Sequence, residues 1–127
     1  MATIRVRHGV PVLEYPTDGP QLDLAGATDL IGETFGSGTE WVLIPAACLD
    51  DAFFRLRTGV AGEIAGKFAN YHLRLAIIGD ISAQVAASTA LRDFVYETNR
   101  GRQLWLLESE AEFDARLAAA APPRRTD

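Results

Sequence analysis

The chain carries one cysteine, Cys48, in 127 residues, so no intrachain disulfide can form. A lone free thiol fits a reducing compartment and predicts a cytoplasmic protein. Long apolar runs are also missing. They are strand-sized, as at residues 75–78, far short of the roughly 20 residues a membrane helix needs. The first residues, Met1 to Arg7, hold no apolar core segment, which predicts no secretory leader. Basic charge is scarce: 12 Lys and Arg stand against 17 Asp and Glu, a net charge of −5. Binding to nucleic acid draws on neutralised phosphates, so neither nucleic acid nor a membrane is an expected partner. There are two histidines, His8 and His72, far apart in the chain. With Cys48 they are too few and too scattered for a zinc site, and no Ser/His/Asp arrangement can be built on them. No metal and no cofactor is expected.

An ordinary core is present. Hydrophobic residues make up 48% and charged residues 23%, the composition and size of a single globular domain. Residues 3–8 alternate apolar and polar, as a half-buried strand does. Gly9 permits a turn, and residues 10–15 read as a second strand, which Pro11 places at a sheet edge. Pro16, Asp18, Gly19 and Pro20 mark a loop. Helical spacing then runs over about 23–35, with Ala27, Leu30, Ile31 and Phe35 inward.

Trp41 to Ile44 is a continuous apolar strand closed by Pro45, the pattern of burial on both faces. A connector with a helical turn near 51–56 leads to a second main helix over 59–70, with Val60, Ile64 and Phe68 inward. Gly59, Gly62 and Gly66 recur on another side, where a neighbouring backbone is expected to pack closely. Residues 73–78 form the next buried strand. A third main helix over 83–99 turns Ala87, Leu91, Phe94 and Val95 inward and stops near Gly101. The last strand is 103–107. Ser109 and Glu112 make a capping box for a final helix that buries Phe113 and Leu117. The expectation is one α/β domain over 1–118 with a flexible tail over 119–127. Its N-terminal β-hairpin is followed by αβαβαβα, so that three parallel strands join the hairpin in a mixed, mostly parallel sheet.

Three phrases carry a resemblance. They are Leu56-Arg-Thr-Gly-Val-Ala-Gly62; Phe68-Ala-Asn-Tyr71 with Leu75-Ala-Ile-Ile-Gly-Asp-Ile-Ser82; and Leu91-Arg-Asp-Phe-Val-Tyr-Glu-Thr-Asn-Arg-Gly101. In them the chain resembles the bacterial family catalogued as domain of unknown function 4180, over nearly its whole length. That family has no assigned activity. The element order is more distantly similar to the STAS domain of anti-sigma-factor antagonists. There a serine or threonine before a glycine, at the start of the second helix, is phosphorylated by a partner kinase, and the unphosphorylated form binds that kinase. Thr58-Gly59 stands at the matching place here. Upstream, Leu56-Arg57 replaces the acidic residue and further Ser or Thr usual in STAS switch proteins.

Ligands of open parallel sheets bind beyond the carboxyl ends of the strands. That edge receives Ala46, Ala47 and Cys48, then Gly79, Asp80 and Ser82, then Glu108 and Ser109, with Thr58 and Gly59 from a helix start. Thr58 reads either as a phosphate acceptor at a helix N-terminus or as an ordinary N-cap. Asp80 or Ser82 reads as a cap or a ligand contact. Cys48 reads as a small buried hydrophobe or a nucleophile. Arg92, Asp93, Tyr96, Asn99 and Arg100 make a mixed aromatic and arginine face of the kind enriched at interfaces. The function these features imply is a non-enzymatic regulatory or protein-interaction domain of STAS type, with a protein partner or a second copy. The alternative is a small-molecule binder or minor enzyme at the strand ends.

Overall fold

The computed structural model describes residues 2–120. Strands β1 (Thr3–Arg7) and β2 (Val10–Glu14) pair antiparallel, with Arg7 opposite Val10. His8 and Gly9 are left as a two-residue turn, at φ 51° and 79°. Left-handed backbone at both positions matches the right-handed twist of the flanking strands.

The other side of β2 pairs in parallel with β3 (Trp41–Pro45), which pairs with β4 (Arg74–Ile78), which pairs with β5 (Leu104–Leu107). The order is β1-β2-β3-β4-β5. The sheet is mixed and mostly parallel as expected, but four strands are parallel rather than three. Pro11 therefore lies in an interior strand, not at an edge. It sits opposite Val6, one step from the turn-closing pair, where an alternating antiparallel ladder asks no N–H of it. Its carbonyl accepts from the Glu40 N–H at 3.0 Å.

The helices are α1 (Leu24–Gly32), α2 (Asp51–Phe54), α3 (Val60–Asn70), α4 (Ser82–Ala87), α5 (Thr89–Arg100) and α6 (Glu110–Ala120). Each crossover from β2 onward steps to the adjacent strand in the same direction. Right-handed connections then stack their helices on one face. On that face Leu13, Val42, Ile44, Leu75, Ile77, Leu104 and Leu106 meet Leu30 and Ile31 of α1, Ile64 and Phe68 of α3, and Leu91 of α5. On the other face Val12, Trp41, Leu43, Ala76, Trp105 and Leu107 meet Phe113 and Leu117 of α6. Arg7 pairs with Glu14 inside the hairpin at 2.7 Å and fastens the hairpin to that helix through Glu110 at 2.6 Å and Asp114 at 2.9 Å.

Several local expectations change. Helix α1 stops at Gly32, and Phe35 stands 66% exposed against Tyr71, ring centroids 5.7 Å apart. The Thr34 hydroxyl bonds the Ile31 carbonyl at 2.6 Å, and Gly36 and Gly38 adopt positive φ, so the chain turns before Phe35 can face inward. The third main helix is two helices. Ser88 is extended between α4 and α5, and its hydroxyl accepts from the Leu91 N–H at 3.1 Å. Ala87 is consequently exposed rather than inward. Gly62 and Gly66 pack against nothing within 4 Å of where a Cβ would stand, so they are not sites of close backbone approach. Gly79 is such a site: an added Cβ would stand 2.9 Å from that of Ala46. Helix α6 runs to Ala120, and the tail expected over 119–127 falls mainly outside the described residues.

Candidate functional site

At the carboxyl end of β3 the chain makes a 3-10 turn, Ala46–Cys48. The Cys48 side chain is buried, with Sγ 3.6–3.8 Å from the carbonyl oxygens of Pro16, Thr17 and Gly19. Burial pushes its thiol above the usual range. A protonated, roofed thiol is a poor nucleophile. The roof is pinned by the Leu22 N–H on the Cys48 carbonyl at 2.7 Å and by the Tyr15 hydroxyl on the Pro20 carbonyl at 2.8 Å.

Beyond β4, the exposed carboxylate of Asp80 accepts from the Ser82 N–H at 2.9 Å. Hydrogen bonds from the Ser82 side chain and backbone hold Asp80 below the usual carboxylate range. Beyond β5, the Ser109 hydroxyl accepts from the Glu112 N–H at 3.2 Å, and the Glu112 carboxylate accepts from the Glu108 N–H at 3.0 Å. Ser109 thus caps α6, while Asp80 closes a turn onto Ser82, the first residue of α4, whose N-cap is Ile81. The strand order also never reverses, so no crevice opens between crossovers leaving to opposite faces.

Thr58 ends the 3-10 turn Leu56–Thr58, and Gly59, at φ 79°, is the N-cap of α3. The Thr58 side chain is exposed. Its hydroxyl accepts from the Val60 N–H at 3.2 Å, a capping contact. It also donates toward two carbonyls, Ala52 at 2.7 Å and Arg55 at 2.8 Å. One proton shared between them ties the start of α3 to the last turn of α2.

That turn is one wall of a groove of about 690 Å³. Asp51, Phe54, Arg55, Leu56 and Arg57 form this wall. The facing wall is α4 and the start of α5, with Ala83, Gln84, Ala87, Ser88 and Ala90. A smaller cleft of about 260 Å³ lies between Arg5, Glu14, Tyr15 and Glu110. A third, of about 280 Å³, lies between Glu40, His72, Arg74 and Gln103 at the opposite end of the sheet. Cys48, Asp80 and Ser109 line none of the three. Among the described residues no three His, Cys, Asp or Glu side chains gather as metal ligands would.

The polar face expected on the third main helix belongs to α5. Arg92 and Asp93 stand 3.7 Å apart, Arg100 and Glu97 3.8 Å apart, and the Arg100 guanidinium lies 5.7 Å from the Tyr96 ring centroid. These groups are exposed, and such pairs contribute at most about 1 kcal/mol each. Asn99 leaves this face. Its amide donates to the Leu106 carbonyl at 3.0 Å and accepts from the Leu106 N–H at 2.7 Å, while Arg116 donates to the Asn99 carbonyl.

No motif in the sequence marks Arg55, Ala83, Gln84, Ala87 and Ser88 as groove walls or Arg7 as an ion-pair hub. The hidden sign of the groove was Ser88, a good N-cap inside an apparently continuous helical pattern.

The arrangement defines a class: an α/β domain with a five-stranded, mostly parallel sheet, an antiparallel strand at its N-terminal edge, and helices on both faces. Residues 7–117 match the family described as domain of unknown function (DUF4180), and the chain belongs to that family. No curated protein and no solved structure matches it. Among the described residues no helix is long and apolar enough to cross a membrane.

Proposed function

We propose that the domain is a non-enzymatic, regulatory protein-interaction module of STAS type, switched by phosphorylation at Thr58. The observation that carries the reading is the exposed Thr58 hydroxyl, shared between the carbonyls of Ala52 and Arg55. A phosphate ester has no such proton to give, and its oxygens would face both carbonyls. The turn that carries Arg55 to Arg57 would have to part from α3. The free N–H groups and positive dipole end at the start of α3 favour a phosphate there. One modification would then reshape a wall of the groove.

The element order and the Thr58-Gly59 opening support the STAS comparison, while Leu56-Arg57 departs from it. The contact surface in this reading is the groove, the start of α3, and the exposed α5 side chains Arg92, Asp93, Tyr96 and Arg100. The test is intact-mass and peptide mass spectrometry of the protein isolated from its native cells. A phosphoryl group on Thr58 in part of the population is expected, with faster amide exchange over 51–57 in that fraction. Thr58 unmodified under every growth condition would remove the switch.

A further inference from the structure

We infer that the groove between the α2–Thr58 segment and α4–α5 receives an acidic protein segment bearing large apolar side chains. This deepens, and rests on, the reading of the domain as an interaction module. The first support is charge. Arg55 and Arg57 are exposed on the groove wall, and among the described residues neither enters an ion pair. Arg5, Arg7, Arg92 and Arg100 do; Arg74, Arg102 and Arg116 also enter none, but none of those three lines the groove. Two guanidinium groups against the single carboxylate of Asp51 leave the lining net positive, in a chain whose net charge is −5. An acidic partner is repelled by the molecule as a whole and drawn to this patch. Such a field steers encounter and fixes orientation. A guanidinium also matches a carboxylate with two parallel hydrogen bonds.

The second support is shape. Ala83, Ala87 and Ala90 give the facing wall three methyl groups beside Gln84 and Ser88, which leaves space where larger residues would fill it. Phe54 and Leu56 add apolar surface on the other wall. A groove of about 690 Å³ accepts a few side chains of one segment, not a folded domain. Large apolar residues of the occupant would enter between the alanines and Leu56. Its carboxylates would meet Arg55 and Arg57 at the rim.

The test is selection of short random peptides displayed against the full chain, followed by sequencing of the bound pool. Enrichment of Asp or Glu together with Leu, Phe or Trp is expected. The Arg55→Glu/Arg57→Glu variant should weaken a selected acidic peptide by roughly tenfold or more, and a fresh selection on it should turn toward Lys and Arg. Ala87→Trp, which plugs the groove from an exposed position, should abolish both pools. Circular dichroism and thermal melting establish that the variants are folded. A pool without acidic bias, an acidic bias that survives the charge reversal, binding that survives Ala87→Trp, or no enrichment at all each overturns the proposal. The Thr58 mass measurement is read independently. A failed selection with modified Thr58 removes the occupant and keeps the module. A charge-reversing selection with unmodified Thr58 keeps the groove and removes the switch.

Discussion

Trp41 and Trp105 stack with ring centroids 4.3 Å apart and planes 33° apart, although a whole strand lies between theirs. The intervening residue is Ala76, fully buried and paired with Trp105 on one side and Leu43 on the other. A methyl group is what lets two indoles from β3 and β5 meet over β4. Phe113 of α6 then closes the cluster edge-on, 5.5 Å from Trp41 and 6.1 Å from Trp105. Ala76→Leu is expected to part the indoles and lower stability by about 1–3 kcal/mol, as overpacking does. Urea unfolding measures the loss, and near-ultraviolet circular dichroism reports the lost stacking. A variant with unchanged midpoint and spectrum would contradict this.

Asn99 occupies the outward N–H and carbonyl of Leu106 in edge strand β5. Asn99→Leu should remove both bonds and cost about 1–3 kcal/mol. It should also expose a sheet edge, so light scattering should detect association that the parent chain does not show. Chemical denaturation gives the energetic part, and an unshifted midpoint would show the clamp to be idle.

Burial raises the Cys48 thiol in the folded state. The folded chain thus favours the protonated form. This contribution is fully present below the unfolded thiol value, about 8.5, and is lost as pH rises through the higher folded value. Stability measured against pH should fall on the alkaline side, and Cys48→Ala should flatten that fall. Ellman's reagent at pH 8 should react slowly with the native protein and at once after denaturation. Fast native labelling would place the thiol in solvent instead.

Helix α3 ends in a Schellman arrangement. The Leu73 N–H reaches the Phe68 carbonyl at 2.9 Å and the His72 N–H reaches Ala69 at 3.0 Å, with His72 left-handed at φ 60°. Glycine is the usual residue there. His72→Gly should relieve the Cβ strain and stabilise the fold by a few tenths to about 1 kcal/mol. A lower melting temperature would mean that the imidazole contributes more than its backbone costs.

Much of this fold was legible because it rests on local rules. Gly9 marked the hairpin turn, continuous apolar runs marked the buried strands, and Ser109 with Glu112 marked the start of α6. The alternation of β1 marked a strand but not a half-buried one, since Ile4 and Val6 stand 44% and 69% exposed on an edge that, among the described residues, no helix covers. The errors fall where tertiary contacts or small side-chain bonds decide. Helical spacing runs on to Phe35, but the Thr34 hydroxyl and two left-handed glycines turn the chain first. Nothing in Pro11 announces that β2 has a neighbour on both sides. Asn99 looked like one more polar residue on a solvated face, because its partner Leu106 lies across a turn. The groove was least legible, since its walls come from segments about thirty residues apart and share no motif. Thr58 stands out in the sequence only through the phrase that surrounds it, and its bonds to Ala52 and Arg55 depend on a turn that spacing alone does not define.

The two edges of the sheet are not equivalent. Asn99 occupies the outward groups of Leu106 on β5, while among the described residues no strand pairs with the outer side of β1. A strand added at β5 would have to displace the amide of Asn99 from Leu106, whereas one added at β1 would not. Two copies paired at β1 would leave their β5 edges outward, each with that amide in the way of further growth.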